Sequence, residues 1–179
     1  MTRILSRRLP NFRDILPVYA IIAFMVYGWT LFTYLRYLQY WLRFLNIREI
    51  LAIFCYSMLA DLAESLFILF ILLGICLISP AKVLKDTFVV RGTSLVVCTL
   101  ASVFVFLNNF TDLNAYMNMA LPWAVATILG AILIAFFATR LAFVGKAARW
   151  LSDSMTIFLY IFLPVTAISL ITVIVRNIV

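Results

Sequence analysis

The feature that most constrains this sequence is a series of long apolar stretches without any Asp, Glu, Lys or Arg. These stretches cover residues 15–35, 50–60, 65–81, 92–111, 113–139 and 154–175. A helix needs about 20 apolar residues to cross about 30 Å of hydrocarbon, so all but the second and third are long enough alone. Those two are separated only by residues 61–64, and joined they form one span over 50–79. The sequence therefore predicts five transmembrane helices.

The composition also favours a membrane protein over a soluble one. Of the 179 residues, 66% are apolar and 12% are charged, whereas soluble domains are about half apolar and a quarter charged. A soluble fold of this size could not bury so much apolar surface. We therefore predict an all-α fold, a polytopic integral membrane helical bundle that forms a single domain over 1–179. Its spans are expected at about 15–35, 50–79, 92–111, 119–139 and 154–175.

The distribution of basic residues predicts the orientation of the bundle. With a cytoplasmic N-terminus, the inner segments contain Arg3, Arg7, Arg8, Arg13, Lys82, Lys85, Arg91, Arg140, Lys146 and Arg149. The outer segments then contain Arg36, Arg43, Arg48 and Arg176. Because Lys and Arg concentrate on the cytoplasmic side, this split of ten against four favours an N-in/C-out topology. We expect the cell (cytoplasmic) membrane as the location, with an organellar inner membrane as the alternative.

Most enzyme chemistry is disfavoured by what the sequence lacks. It has no histidine, which removes the commonest imidazole base and the commonest zinc ligand. No glycine-rich phosphate-binding loop occurs, and the three cysteines form no CxxC pair. We therefore expect no cofactor and no metal site, and an enzyme is a less favoured class. Topology and anionic lipid headgroups explain the net charge of +7, so no nucleic acid partner is expected.

Two carboxylates in the second span are out of place in a bilayer. Asp61 and Glu64 are three residues apart and share one side of a helix, and Ser57 and Ser65 extend this polar stripe. A carboxylate near the bilayer centre costs about 3 kcal/mol, so such residues usually face protein or water. We expect both carboxylates to face the bundle interior, and at least one to contact a polar group of the first or third span. Candidate partners at this depth are Thr30, Thr33, Arg36, Asn108 and Asn109.

Residues 36–46 form an amphipathic, aromatic-rich segment after the first span. Arg36 and Arg43 lie on one side of a helix drawn through it, and Trp41 lies among leucines on the opposite side. This pattern is typical of a short interfacial helix, or of the first span continuing out of the bilayer. Arg36, Arg43 and Trp41 are therefore candidate lipid or partner contacts. Residues 140–149 are expected to form a similar amphipathic segment at the inner face.

Small residues repeat every four positions in the third and fourth spans. They are Ser94, Cys98 and Ser102 in the third span, and Ala120, Ala124, Ala131 and Ala135 in the fourth. Because small side chains let helix backbones approach closely, this repeat predicts that the two spans pack against each other.

Three classes of function remain open. The favoured class is a non-catalytic anchor, assembly or accessory subunit of an envelope membrane complex, with the lipid bilayer and a protein partner or a second copy as its partners. The alternative is a small transporter or transporter component that uses Asp61 and Glu64, although no internal repeat supports it. An intramembrane enzyme acting on lipid is third, because two carboxylates alone make a poor active site. The polar stripe is thus either a structural lock or a site for an ion, a proton or a headgroup.

Overall fold

The described residues of the chain form five α-helices. The structure, a computed structural model, describes residues 10–78, 87–110, 113–138 and 142–178. The helices are α1 (Phe12–Phe44), α2 (Ile47–Ile78), α3 (Phe88–Asn109), α4 (Leu113–Ala138) and α5 (Ala142–Ile178). Within these described ranges there is no β-strand, and each helix contains a segment long and apolar enough to cross a membrane. The prediction of an all-α bundle with five candidate transmembrane helices is confirmed.

A tight turn joins α1 to α2. The backbone N–H of Leu45 closes α1 by donating to the carbonyl of Trp41 at 2.8 Å. The backbone N–H of Asn46 donates to the Glu49 carboxylate at 2.9 Å, which satisfies one of the donors left free at the start of α2. The chain reverses within two residues, so the two long helices run antiparallel.

The two amphipathic segments are continuous with their neighbouring spans. Residues 36–44 form the last part of α1, and the described part of the second segment, from residue 142, is the start of α5. Neither segment forms a separate interfacial helix within the described residues. The first segment is therefore part of the same helix as the first span. The helix continues from residues 15–35 into residues 36–44 because no glycine or proline lies near their junction to interrupt it.

Helix α1 is the centre of the bundle. It packs against α2, α3 and α5, while α4 packs mainly on α3. In its first half, Val18, Ile21, Ile22 and Val26 are buried with Leu72 of α2 and with Phe88 and Val96 of α3. A helix buried on several sides needs apolar residues around most of its circumference, which the sequence of α1 supplies.

The predicted contact between the third and fourth spans is present. Ser102 of α3 shares a hydrogen bond of 2.7 Å with Thr127 of α4, and Trp123 Nε1 donates to the Ser102 hydroxyl at 3.0 Å. Ala131 and Ala135 are buried. One member of the small-residue repeat, Ala124, has an exposed side chain.

Candidate functional site

A row of hydroxyl groups along α1 forms the main polar structure of the bundle interior. We call this row the polar seam, and it consists of Tyr19, Tyr27, Thr30 and Tyr34 with their partners on α2 and α5. Toward α2, Tyr19 lies 3.4 Å from the Ser65 hydroxyl, and Tyr34 donates to the carbonyl of Ile50 at 3.2 Å. The seam therefore fixes the register of α1 against α2 along much of its length.

Toward α5, the seam makes one buried hydrogen bond. The hydroxyl oxygens of Tyr27 and Thr166 are 2.8 Å apart. Thr166 donates to the carbonyl of Phe162 at 2.8 Å, so Tyr27 is the donor to Thr166. The ring of Tyr27 also stacks on Phe162, with centroids 4.8 Å apart. This bond joins the first helix of the chain to the last.

Asp61 is the acidic member of the seam. Its side chain is only 3% exposed, and its Oδ1 accepts a hydrogen bond of 2.7 Å from the Thr30 hydroxyl. The second oxygen, Oδ2, is buried and has no hydrogen-bond partner among the described residues. The expectations that Asp61 faces the interior and contacts a polar group of the first span are met, and Thr30 is the partner.

Glu64 does not share this environment, which corrects the expectation that both carboxylates face the interior. Its side chain is exposed on the outside of the bundle, as are those of Ala60 and Phe67. Side chains three residues apart on an α-helix differ in direction by about 60°. Met58 and Ser65, which lie on the opposite side of Asp61 from Glu64 around the helix axis, are both buried. Asp61 is therefore near one edge of the buried side of α2, and Glu64 falls outside that side.

The two serines of the predicted stripe also lie in different environments. Ser65 is fully buried and donates to the carbonyl of Leu62 at 3.0 Å. Ser57 is half-buried and donates to the carbonyl of Ile53 at 2.9 Å. The stripe is therefore divided between an interior part, Asp61 and Ser65, and a more accessible part, Ser57 and Glu64.

A small pocket opens between α1 and α2. It has a volume of about 160 Å³ and is lined by Trp29, Thr30, Thr33, Tyr34, Trp41 and Ser57. Thr30 connects the pocket to Asp61, because its side chain lines the pocket and its hydroxyl donates to the Asp61 carboxylate. Trp29 closes the side toward α3 by stacking on Phe104, with centroids 4.5 Å apart. Such a pocket has room for a few water molecules or a small cation.

The three residues predicted as interfacial contacts are separated in the structure. Arg36 Nη1 donates to the Asn108 side-chain oxygen of α3 at 3.2 Å, and Trp41 packs edge-on against the ring of Tyr34. Arg43 is exposed in the last turn of α1. Arg36 and Asn108 thus contact each other instead of Asp61.

Sequence reasoning did not identify the tyrosines of the seam. Tyr19, Tyr27 and Tyr34 are spaced by eight and seven residues, which places them on one side of a helix every second turn. That spacing within an apolar span was the available signal. Their partner Thr166 carried no such signal, because an isolated threonine in an apolar helix usually bonds only to its own backbone.

Across the residues that the structure describes, the site and the fold together define an all-helical bundle of five apolar helices, with interior hydroxyls and the buried Asp61 carboxylate between them. Within the described residues, no group of three or more His, Cys, Asp or Glu side chains could hold a metal ion. Comparison with known protein families, with curated proteins and with solved structures found no match to this chain.

Proposed function

We propose that this protein is a non-catalytic accessory or assembly subunit of an envelope membrane complex. In this proposal it lies in the cell membrane with its N-terminus in the cytoplasm, an organellar inner membrane being the alternative. Its α2 surface binds a protein partner or a second copy of the chain. An enzyme is the less favoured class in this proposal, because two carboxylates alone make a poor active site.

The single observation that carries the proposal is the exposure of Glu64. The residue lies about midway along α2, so its carboxylate is far from both helix ends. A carboxylate directed at lipid at this depth costs about 3 kcal/mol, and such residues usually face protein or water. A partner chain that presents a hydrogen-bond donor or a basic group would remove this cost. The neighbouring exposed residues, Ala60 and Phe67, would form the apolar part of the same contact.

The proposed orientation rests on the separation of basic residues between the two ends of the bundle. Arg36 is joined to Asn108 near the end of α3, and Tyr56 of α2 donates to Asn177 near the end of α5 at 3.3 Å. These bonds keep at one end the four basic residues assigned to the outside. Arg13 and Arg91 lie near the opposite ends of α1 and α3, which the positive-inside rule makes cytoplasmic.

Photocrosslinking in native membranes tests the proposal. A photoreactive amino acid is placed at Ala60, one turn before Glu64, and as a matched control at Leu133, which is 58% exposed on α4. We expect a discrete protein adduct from position 60 and none from position 133. The adduct should decrease with Glu64→Leu and persist with Glu64→Gln, which retains hydrogen bonding. Adducts only to lipid at both positions, or an adduct at position 60 that does not depend on Glu64, would refute it.

A specific observation supports transport as a second candidate. Asp61 has one buried oxygen without a partner among the described residues, its other oxygen is bonded to Thr30, which lines the small pocket, and buried carboxylates in spans often belong to proton or ion pathways. In liposomes with an internal pH dye, a transporter should carry protons, and Asp61→Asn should stop this flux while the protein still assembles. Absence of flux through the wild-type protein would exclude proton transport and leave the subunit proposal in place.

A further inference from the structure

A second, larger cavity lies between α2 and α5, away from the polar seam. This groove has a volume of about 720 Å³ and lies beside the first turns of α2 and the last turns of α5. Arg48 and Arg176 line it near the helix ends, and most of the remaining wall is apolar, including Leu51, Ile171 and Val175. Its volume lies within the range of about 300–1,000 Å³ that is usual for small-molecule sites.

The mouth of the groove is positively charged. Arg48 and Arg176 are both exposed, and neither forms an ion pair with a carboxylate in the part of the chain that the structure describes. The neighbouring acid, Glu49, is engaged by the backbone N–H of Asn46 at 2.9 Å. The partial positive charge at the start of α2 is opposed by the partial negative charge at the end of α5, so the positive charge of the mouth comes from the two arginines. An anion is the complementary ligand.

The depth of the groove indicates what kind of anion fits. Both arginines lie within the terminal turn of a helix, where a span reaches the headgroup region. From residue 48 to residue 56 the wall follows α2 for about 12 Å at 1.5 Å per residue, toward the apolar part of the bundle. A charged mouth above an aliphatic channel matches a phosphate group that carries a hydrocarbon chain.

We propose that this groove binds one anionic phospholipid, with its phosphate at Arg48 and Arg176 and an acyl chain along Leu51, Ile171 and Val175. Guanidinium groups are well suited to this role, because they donate two parallel hydrogen bonds to phosphate oxygens. The bond between Tyr56 and Asn177 links α2 to α5 beside the groove and keeps its walls together. The bound lipid would act as a further link between the two helices at this end of the bundle.

Native mass spectrometry of the full chain in mixed micelles tests this proposal, with phosphatidylglycerol compared with phosphatidylcholine of the same chains. We expect one retained phosphatidylglycerol per protein and weaker retention of phosphatidylcholine. The double variant Arg48→Gln/Arg176→Gln should weaken phosphatidylglycerol binding by at least about tenfold. The matched control is Arg43→Gln, which removes an exposed arginine at the same end of the bundle but outside the groove.

A second variant tests the hydrocarbon part of the site independently of charge. Thr172→Trp fills the groove from its α5 wall and leaves both arginines in place, so it should also reduce lipid retention. Millimolar inorganic phosphate should not displace the lipid, since the acyl chain supplies much of the binding. Equal retention of the two lipids, unchanged binding in the double variant, or displacement by phosphate alone would overturn the proposal. So would equal losses with Arg43→Gln and the double variant.

Discussion

At the scale of single residues, the interior of the bundle depends on hydroxyl donors from one helix. The clearest example is Thr30, which supplies the one hydrogen bond that the Asp61 carboxylate receives within the described part of the chain. If a buried carboxylate loses its hydrogen-bond donor, the free-energy cost of removing it from water is no longer compensated. Replacing an exposed hydroxyl by a methyl group changes the stability of a helix much less. The Thr30 hydroxyl is therefore expected to contribute more to the stability of the protein than a half-buried threonine usually does.

Thr30→Val should decrease the free energy of unfolding by about 1–3 kcal/mol, because it keeps the shape of the side chain and leaves the Asp61 carboxylate without a donor. Denaturant titration of the purified protein in detergent measures this change. Thr33→Val is the matched control, since Thr33 lines the same pocket without donating to Asp61. Equal effects of the two substitutions would show that the Thr30–Asp61 bond contributes nothing of its own.

At the scale of helices, the contact between α3 and α4 has to hold α4 in place almost alone. Helix α4 has little contact with α5, and much of its apolar surface is exposed, including Ile128, Leu129 and Leu133. In a bilayer such surface gains nothing from burial, because lipid tails are as apolar as leucine. Hydrogen bonds and close packing must therefore supply the specific attraction between the two helices.

Ser102→Ala should decrease the free energy of unfolding by about 1 kcal/mol, because it removes the hydroxyl that contacts both Thr127 and Trp123. Ser94→Ala, on the same helix, is the control and should have a smaller effect. The Ser94 hydroxyl donates only to the carbonyl of Val90, within its own helix. If the two variants unfold at the same denaturant concentration, the interhelical bonds do not stabilise this contact.

Ala138→Leu should destabilise the protein by about 1–3 kcal/mol through overpacking. Ala138 is 2% exposed and is buried with Val90 of α3 and Ala148 of α5, so added methyl groups have no free volume. Ala124→Leu is the control, since it adds the same methyl groups at an exposed position of the same helix. Thermal unfolding of both variants in detergent measures the difference. A tolerated leucine at position 138 would mean that the end of α4 is loosely packed.

The helices themselves were predictable from the sequence, but the directions of their side chains were not. The length of each apolar stretch determined the number of spans because the bilayer thickness sets a minimum length. The rotation of α2 could not be derived in this way, since both its buried side and its exposed side are apolar. The polar stripe of Ser57, Asp61, Glu64 and Ser65 was the main mark of orientation, and its spacing did not reveal which of the two carboxylates is buried. The groove at Arg48 and Arg176 was equally hidden, because it depends on the pairing of α2 with α5.

At the scale of the whole molecule, α1 and α5 are longer than a bilayer requires. They contain 33 and 37 residues, which correspond to about 50 and 55 Å, against a hydrocarbon thickness of about 30 Å. Such helices either tilt or extend into the headgroup region and beyond. Exposed aromatic residues near the end of α1, among them Tyr37 and Tyr40, are suited to that region.

Cysteine labelling in intact cells tests the proposed N-in/C-out topology. Single cysteines at Asn46, in the turn between α1 and α2, and at Thr87, just before α3, are introduced after Cys55, Cys76 and Cys98 have been replaced. An impermeant maleimide added from outside should label position 46 and leave position 87 unmodified until the membrane is opened. If position 87 alone is labelled in intact cells, the proposed topology is wrong and the opposite orientation is the correct one.

The bond between Tyr27 and Thr166 also has a consequence for the synthesis of the protein. The two residues are 139 positions apart, and a ribosome adds about 5–20 residues per second, so roughly 7–28 s pass between their translation. During that interval the hydroxyl of Tyr27 has entered the membrane without its final acceptor. Until α5 is made, the Tyr27 hydroxyl therefore depends on provisional partners, such as groups on α2 or water.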